Sequence, residues 1–436
     1  MATQNDGAEG LKAERPEGRC LWEPILDGSL GERALEAVQG IIAGLPDPSA
    51  TEMSDASLAR GTAGLAVFCG YLALADYDDG ENAEQFLEQA VHALSSGPME
   101  PSLYSGFAGV AWATAHLQQQ LFEADEENSD QAINKALRAY LARSPWRGDY
   151  DLIGGLVGFG VYALERLSHP MAAELLECVI DRLEETAERN VKGITWLTSP
   201  ELLPAWQREL CPNGYYNLGL AHGVPGVIAL LGQACAAQVA RARAQPLLEK
   251  VMAWLLAQKL SGGGHSSFPS WVGPGIERDD CRLAWCYGDA GIAAALLGAA
   301  RCLGEPAWER EALEIARRAA ERPPDTAGAA DAGLCHGTAG LGHIFNRMFQ
   351  ATGAVWLKKA AVFWFERTLE MRHPTLGIGG FSALDVVNGE RRWVDDPGLL
   401  SGAAGIALAL LAAITPVVPA WDRMLLVSVP DRSDGG

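Results

Sequence analysis

Basic side chains are scarce in this chain. Lysine and arginine together number 34, against 55 aspartate and glutamate residues, and the formal net charge is −21. Nucleic acids and anionic membrane surfaces attract basic faces. The composition therefore argues against nucleic acid as a partner, and the acidic runs at 75–82 and 123–130 are predicted to be solvated loops.

Long apolar runs are also missing. No run approaches the length of a transmembrane helix without a charge, a glycine or a proline, and residues 1–18 lack the apolar core of a secretory signal. The nine cysteines are odd in number, and several, such as Cys69 and Cys235, lie in apolar runs typical of buried free thiols. We therefore expect a cytoplasmic protein rather than an integral membrane protein or a disulfide-stabilised one.

The sequence does contain a repeat. A Gly-x-x-Gly frame followed by small and aliphatic residues occurs seven times, as in GTAGLAVF (61–68) and GFAGVAWA (106–113). Glycine suits a tight turn, and the run after it has no polar face, so each frame predicts the start of a helix buried on all sides. The first glycines of the frames are Gly61, Gly106, Gly155, Gly223, Gly288, Gly337 and Gly402.

A second kind of helix is predicted before each frame. Its apolar residues recur at three- and four-residue steps with charged residues opposite, which is typical of an amphipathic helix. These outer helices are predicted at 32–45, 83–94, 130–143, 173–190, 245–258, 310–322 and 356–372. Seven outer helices alternating with seven inner ones predict an all-α protein, a closed α/α toroid of seven hairpins. An open α-solenoid would stack such pairs equally well, but the wholly apolar inner helices favour closure.

The repeat also predicts the domain organisation. No single repeat could bury its own core, so we expect a single toroid domain over residues 21–428. A disordered tail is expected at 1–20 and a flexible tail at 429–436.

Chemically active residues occur at only some of the frames. If the inner helices all start at one mouth of the ring, the residues beside the frame glycines surround a common site. His222 precedes the fourth frame glycine, Cys286 and Tyr287 the fifth, and Cys335 and His336 the sixth. Two cysteines and a histidine would suit zinc, which prefers sulfur and imidazole nitrogen and keeps an open position in catalytic sites. The alternative is ordinary packing at helix starts.

For three of the side chains near the frames, the sequence allows two interpretations of the role. His222 either acts as a general acid or base near neutral pH or hydrogen-bonds a carbonyl group. Asp151 either orients such a histidine or caps the following turn. Arg282 either holds a substrate carbonyl or carboxylate or lies at the surface. His116 and His343 are assigned no role.

Several segments together resemble the lanthionine synthetase C family, the LanC-like cyclases. They are YDLIGGLVG (150–158), LAHGVPG (220–226), RLAWCYGDAG (282–291), GLCHGTAG (333–340), GLLSGAAG (398–405) and WDRMLLVS (421–428). The resemblance covers nearly the whole chain and implies a double α/α toroid (barrel) of seven hairpins, in agreement with the repeat count. Ala290 departs from the family pattern, which usually has proline there, but this affects the stiffness of a helix start and not a ligand.

The resemblance also implies a set of site residues. A catalytic Zn2+ would be held by Cys286, Cys335 and His336, and the other matching active-site positions are Asp151, His222, Arg282 and Tyr287. The implied reaction is Michael-type addition of peptide cysteine thiols to dehydroalanine or dehydrobutyrine, which forms (methyl)lanthionine rings. His222 would be the acid or base, oriented by Asp151, and Arg282 would stabilise the enolate.

The implied partners are a dehydrated precursor peptide with its leader, a separate dehydratase and a transporter. A stand-alone cyclase is expected because 60 residues before the first frame leave no room for a dehydratase domain. Such a biosynthetic complex would hold a cytoplasmic cyclase peripherally at the membrane. Two alternatives stay open, namely addition of glutathione to dehydroamino acids and a non-catalytic toroidal protein that binds peptides.

Overall fold

A computed structural model describes residues 22–50, 53–122, 131–387 and 390–430. The prediction of an all-α protein is confirmed, since helices dominate this part of the chain. They are α1 (Gly28–Gly44), α2 (Thr62–Leu74), α3 (Glu81–Ser96), α4 (Phe107–Gln120), α5 (Gln131–Leu141), α6 (Leu156–Glu165), α7 (Pro170–Thr186), α8 (Ala205–Leu210), α9 (Val224–Ala236), α10 (Arg241–Leu256), α11 (Asp289–Leu303), α12 (Pro306–Glu321), α13 (Thr338–Thr352), α14 (Val355–Glu370) and α15 (Ala403–Ile414).

Short strands add to the helices in three antiparallel pairs. They are β1 (Glu188–Asn190) with β2 (Gly193–Thr195), β3 (Tyr216–Asn217) with β4 (Trp271–Val272), and β5 (Ala383–Val387) with β6 (Glu390–Val394). None of these strands, and not α8, was predicted from the repeat pattern.

All seven predicted inner helices are found. Each begins at the residue after a frame glycine, which is its N-cap; they are α2, α4, α6, α9, α11, α13 and α15. They are buried along most of their length, and in α15 every residue from Ala403 to Ala413 is buried. The apolar run after each glycine therefore predicted both the helix and its burial.

The predicted outer helices are also found, as α1, α3, α5, α7, α10, α12 and α14. They are buried on one side only; α12, for example, buries Ala312, Ile315, Ala316 and Ala319. The predicted end of α7 at residue 190 is wrong, since the helix ends at Thr186 and β1 follows. The chain turns back there through Gly193, whose positive φ a helix does not allow.

The inner helices form a closed ring. Each packs against the next in chain order, and α15 packs against α2. Each inner helix also packs against the outer helix that follows it, and the first outer helix, α1, packs against α15. The two ends of the repeat thus complete one hairpin pair, which gives the predicted double α/α toroid rather than an open solenoid.

Backbone hydrogen bonds join the frames at one mouth of the ring. The residue two positions before a frame glycine bonds to its counterpart in the next repeat, as from Cys286 N–H to Cys335 O (3.2 Å) and from Cys335 N–H to Leu400 O (2.8 Å). The same pattern continues from Leu400 N–H to Ala59 O (3.0 Å) and from Ala59 N–H to Tyr104 O (3.0 Å). Residues at equivalent frame positions are therefore neighbours around the mouth.

The axis of the ring is filled by a 3₁₀ segment, Ala420–Leu425. The hydroxyl of Tyr104 donates to Met424 O (2.8 Å), and Nε1 of Trp285 donates to Leu425 O (2.9 Å). Since Trp285 precedes Cys286, this segment supports the turn that carries a predicted ligand.

The connections from outer to inner helices lie at the mouth, and three of those in the described chain are long. One joins α7 to α9 and contains α8, one joins α10 to α11 and contains β4, and one joins α14 to α15 and contains β5 and β6. The predicted tail at 1–20 lies outside the described residues, as does most of the one at 429–436, and the domain boundaries stay predictions. None of the helices in the described part of the chain is both long and apolar enough to cross a bilayer.

Candidate metal centre

The three predicted ligands meet at the mouth of the inner ring. The ligand atoms of Cys286, Cys335 and His336 all lie within 4.8 Å of one another. The two cysteines hold the same frame position in adjacent repeats, and the backbone hydrogen bond between them brings their side chains together. Cys335 and His336 can both face the site because they lie in the turn before α13 and not in the helix.

Glycine makes that turn possible. A Cβ atom on Gly337 would overlap the backbone of Gly333. The turn therefore requires the glycines on either side of Cys335 and His336. It does not require the cysteine and the histidine between them.

The groups around the three ligands favour the thiolate form of Cys286. Hydrogen bonding by Cys335 lowers the pKa of the Cys286 thiol well below its usual range, against the effect of burial, and His336 and Arg282 contribute in the same direction. The thiolate at Cys286 in turn raises the pKa of Cys335. Hydrogen bonding to Asp331 and to Cys286 raises the pKa of His336 to about 9. Two sulfurs and an imidazole so arranged could hold a metal ion.

Asp331 supports His336 and was missed in the sequence. Its Oδ2 lies 3.5 Å from Nε2 of His336 and also accepts a hydrogen bond from the N–H of Leu384 in β5 (3.2 Å). Its Oδ1 accepts from the N–H of Gly333 (3.1 Å). Burial alone would raise the pKa of Asp331, but these hydrogen bonds, chiefly that of His336, lower it.

His222 and Asp151 form a hydrogen-bonded pair. Nδ1 of His222 lies 2.7 Å from Oδ2 of Asp151, while Oδ1 of Asp151 accepts from the N–H of Gly154 (2.8 Å). Asp151 therefore makes both of the contacts that the sequence suggested, one within its own turn and one to the histidine. Burial alone would lower the pKa of His222, but Asp151 outweighs it and the pKa is raised.

Tyr287 lies between this pair and the ligands, and Arg282 lies beside Cys286. Arg282 is exposed, yet its Nη2 is 3.6 Å from Sγ of Cys286 and its guanidinium lies 5.9 Å from the ring centre of Tyr287. The rings of Tyr287 and His222 are stacked at 6.1 Å. Burial raises the pKa of Tyr287 to about 12, so its hydroxyl stays protonated.

Asn217 and Trp271 fix the hydroxyl of Tyr287 and were also missed. Nδ2 of Asn217 donates to that oxygen at 2.9 Å, and Nε1 of Trp271 lies 3.4 Å from it. Trp271 lies in β4, which pairs with β3, so only the folded chain brings it to the site.

A repeated position could have revealed Asp331 and Asn217. The sixth residue before each frame glycine is polar in every repeat; these residues are Asp55, Glu100, Asp149, Asn217, Arg282, Asp331 and Asp396. In four of them the side chain accepts from the N–H two residues later, which makes a turn; the four are Asp55, Asn217, Asp331 and Asp396. Arg282 departs from this pattern and faces Cys286 instead.

The fold and the site together define a class of protein: a closed α/α toroid with a cysteine–cysteine–histidine donor set at the mouth of its inner ring. Residues 52–426 match the family model described as lanthionine synthetase C-like protein. The chain belongs to this family, as the resemblance of its motifs implied.

Two relatives illustrate the likeness. The chain is 27% identical to the nisin biosynthesis protein NisC of Lactococcus lactis subsp. lactis over 281 residues, which covers 59% of this chain and 65% of that protein. The chain thus spans slightly less than two thirds of that relative. A solved structure of nisin cyclase matches with a TM-score of 0.72 and 22% identity, covering 91% of this chain and 98% of that one. At this identity the structural likeness supports the fold alone.

Proposed function

We propose that the protein is a zinc-dependent lanthipeptide cyclase, which adds peptide cysteine thiols to dehydroalanine or dehydrobutyrine. The observation that carries the proposal is the convergence of Cys286, Cys335 and His336 beside the pair of His222 and Asp151. Membership of the family supports it, and so do the names of the relatives, which refer to nisin biosynthesis and to a cyclase.

The donor set suits zinc. Cys286, Cys335 and His336 would hold the ion through two thiolates and one imidazole. Since Nε2 of His336 faces Asp331, Nδ1 is the ring nitrogen left for the metal, and a carboxylate behind a metal-binding histidine is a common arrangement. When bound, zinc lowers the pKa of a substrate thiol at its open position.

His222 is suited to deliver the proton that completes the reaction. As the sulfur bonds to the β-carbon, the double-bond electron pair shifts toward the α-carbon and its carbonyl oxygen, and the α-carbon then takes up a proton. Asp151 holds Nδ1 of His222, so Nε2 is the nitrogen that gives this proton. The proton released by the substrate thiol restores the imidazolium through solvent.

Arg282 and Tyr287 would stabilise the negative charge on that carbonyl oxygen. The guanidinium of Arg282 is exposed at the mouth beside Cys286, and Tyr287 offers a protonated hydroxyl. Such donors, aimed at charge that develops during the reaction, are a large contribution to catalysis.

A cyclase of this kind depends on other proteins. Its substrate would be a precursor peptide with a leader, and a separate dehydratase must first remove water from serine or threonine side chains. We propose that the protein acts in the cytoplasm with such a dehydratase and with a transporter.

Metal content tests the ligand assignment. We expect stoichiometric zinc in the purified wild type and a loss of zinc in Cys335→Ala, because one of three ligands is removed. Cys178→Ala, a free cysteine on the outer helix α7, is the matched control and should keep its zinc. Full zinc occupancy in Cys335→Ala would refute the assignment.

Product masses distinguish the activities. A dehydrated peptide with one cysteine should lose its thiol without a change of mass, whereas a gain by the mass of glutathione, when that thiol is supplied, would favour the glutathione reaction. No thiol loss with either would favour a non-catalytic peptide-binding protein.

His222→Gln should retain zinc but react about 10²–10⁴-fold more slowly.

A further inference from the structure

An apolar strip is exposed on the connection between α7 and α9. It consists of Leu202, Trp206 and Leu210, whose exposed fractions are 36%, 57% and 67%. Trp206 and Leu210 lie one turn apart on α8. Three exposed large apolar side chains within nine residues are unusual for a surface without a partner.

The connection that carries the strip is well packed. Beneath it, Leu203, Cys211 and Tyr215 form a small core of their own, and the rings of Tyr215 and Trp271 stack at 4.6 Å. Arg208 of α8 donates to the backbone oxygens of Pro200 and Leu203. The connection is therefore held in place with its apolar face outward.

The strip continues into a cavity beside the candidate active site. The cavity has a volume of about 330 Å³, and its lining includes Leu202 from the strip and Asp151, His222 and Tyr287 from the site. This volume is near the lower end of the ~300–1,000 Å³ range of small-molecule pockets. It can take a side chain or two, and Leu202 joins it to the strip.

The charge of the cavity limits what it can bind. Its lining includes the carboxylates of Asp149 and Asp151, of which Asp151 is paired with His222, and, among the described residues, no lysine or arginine. Burial and the charge of Asp151 raise the pKa of Asp149 to about 6, so the carboxylate of Asp149 is mostly ionised at pH 7. A ligand with its own carboxylates, such as glutathione, is repelled there, whereas a neutral or basic side chain is accepted.

We propose that the strip and the cavity bind the segment of the substrate peptide next to the dehydroamino acid, with apolar side chains on the strip and a neutral or basic side chain in the cavity. This inference rests on the proposed function, which brings the electrophile to His222. It adds a surface that recognises the peptide and that selects a peptide over a small anionic thiol.

Kinetics test the strip in the zinc-loaded full chain. The substrate is a synthetic peptide with one cysteine, one dehydroalanine, and leucine and lysine beside the dehydroalanine. We expect Trp206→Ala and Leu210→Ala each to raise KM about five- to tenfold, since each removes a large apolar contact, and to leave kcat unchanged. Tyr77→Ala is the matched control, because Tyr77 is 42% exposed and follows α2 at the opposite end of the ring. An equal KM effect in the control, or none in either strip variant, overturns the proposal.

A binding measurement separates this inference from the proposed function. A fluorescein-labelled analogue with serine for cysteine and alanine for dehydroalanine cannot react, and its affinity is measured by anisotropy. Weaker binding to Trp206→Ala supports the strip even if the wild type forms no rings. If the wild type forms rings but both proteins bind the analogue with equal affinity, the role of the strip is refuted and the cyclase function stands. If the wild type does not bind the analogue, the role of the strip is likewise refuted.

Charge and self-association complete the test. The wild type should prefer the lysine peptide over one with glutamate at that position, and Asp149→Asn should reduce this preference about two- to fivefold. An unchanged preference contradicts the role of the cavity. If Trp206→Ala instead turns a dimer into a monomer in light scattering and leaves peptide affinity unchanged, the strip is an interface between copies and the proposal fails.

Discussion

Each histidine of the candidate site contacts a carboxylate through one of its ring nitrogens. Asp151 accepts from Nδ1 of His222, and Asp331 faces Nε2 of His336. Both carboxylates also accept a backbone N–H of their own turn, so they hold the rings in fixed orientations. The two carboxylates contact different ring nitrogens, Nδ1 of His222 and Nε2 of His336. The two histidines are thus suited to different tasks.

Replacing Asp151 tests the role of His222. Asp151 raises the pKa of His222 against the lowering effect of burial, so Asp151→Asn should lower it. The proton-donating imidazolium is lost as pH rises through that pKa, and the basic limb of the rate profile should therefore move to lower pH. We expect a loss of kcat of about tenfold or more near neutral pH. NMR titration of His222 and the pH dependence of kcat measure both effects.

Asp55→Asn is the control for this experiment. Asp55 makes a similar turn hydrogen bond, to the N–H of Ser57 (2.8 Å), in the first repeat. Its replacement should leave the pH profile in place. A basic limb that does not move in Asp151→Asn would contradict the assignment of His222 as the acid.

At the scale of the elements, the start of α11 differs from the other inner helices. Gly288, its N-cap, has φ +102 and ψ 179, a region that only glycine adopts readily, whereas the other frame glycines have negative φ. A Cβ atom at Gly288 would also overlap the carbonyl oxygen of Arg282. Gly288 directly follows Cys286 and Tyr287 in the chain.

We expect Gly288→Ala to lower the free energy of unfolding by about 3 kcal/mol or more and to reduce zinc content, because Cys286 is displaced. Gly304, at the other end of α11, has φ +70 and open space around it, so Gly304→Ala should lower it by only about 1–2 kcal/mol. Urea denaturation and metal analysis measure both quantities. Equal losses in the two variants would show that the backbone at Gly288 is not special.

At the scale of the whole molecule, the two ends of the described chain complete the toroid. α1 packs on α15, and the segment Ala420–Leu425 fills the axis. Asp422 anchors this segment, since it is fully buried and accepts from Arg347 (2.7 Å) and Ser428 (2.6 Å). His343, to which the sequence assigned no role, lies 2.9 Å from the same carboxylate.

Removing the charge of Asp422 should destabilise the whole fold. Asp422→Asn leaves Arg347 buried without its counter-ion, and we expect a loss of about 3–5 kcal/mol. Glu174→Gln is the control, because it breaks an ion pair with Arg138 in which both side chains are 58% exposed, and should cost about 1 kcal/mol or less. A melting temperature lowered equally in both variants would contradict the anchoring role.

The pKa of Asp422 predicts that the stability of the fold depends on pH. Burial alone would raise the pKa of Asp422, but Arg347 and His343 lower it from 3.8 to about 2. Because the pKa in the folded state is below that in the unfolded state, the contribution to stability is complete above about pH 4 and is lost as pH falls toward about 2. The acid-induced loss of stability should be smaller in Asp422→Asn than in the wild type, as measured by thermal unfolding across that range.

The sequence by itself determined the seven inner helices, their burial and the ligand candidates. A glycine-led turn and an unbroken apolar run are local properties, so the start of α13 after Gly337 could be predicted without any knowledge of its neighbours. The repeat then indicated that Cys286 and Cys335 are equivalent, and hydrogen bonding between adjacent repeats makes them neighbours.

Only the tertiary structure decided which contacts single residues make. Asp151 accepts from both Gly154 and His222, Asp331 contacts His336, and Trp271 reaches Tyr287, because each meets a partner that is distant in the sequence or that its own turn presents. Closure of the ring is decided in the same way, since α15 and α2 meet only when every repeat has added its rotation. The strands and α8 escaped prediction because they are short and depend on pairing and packing rather than on periodicity.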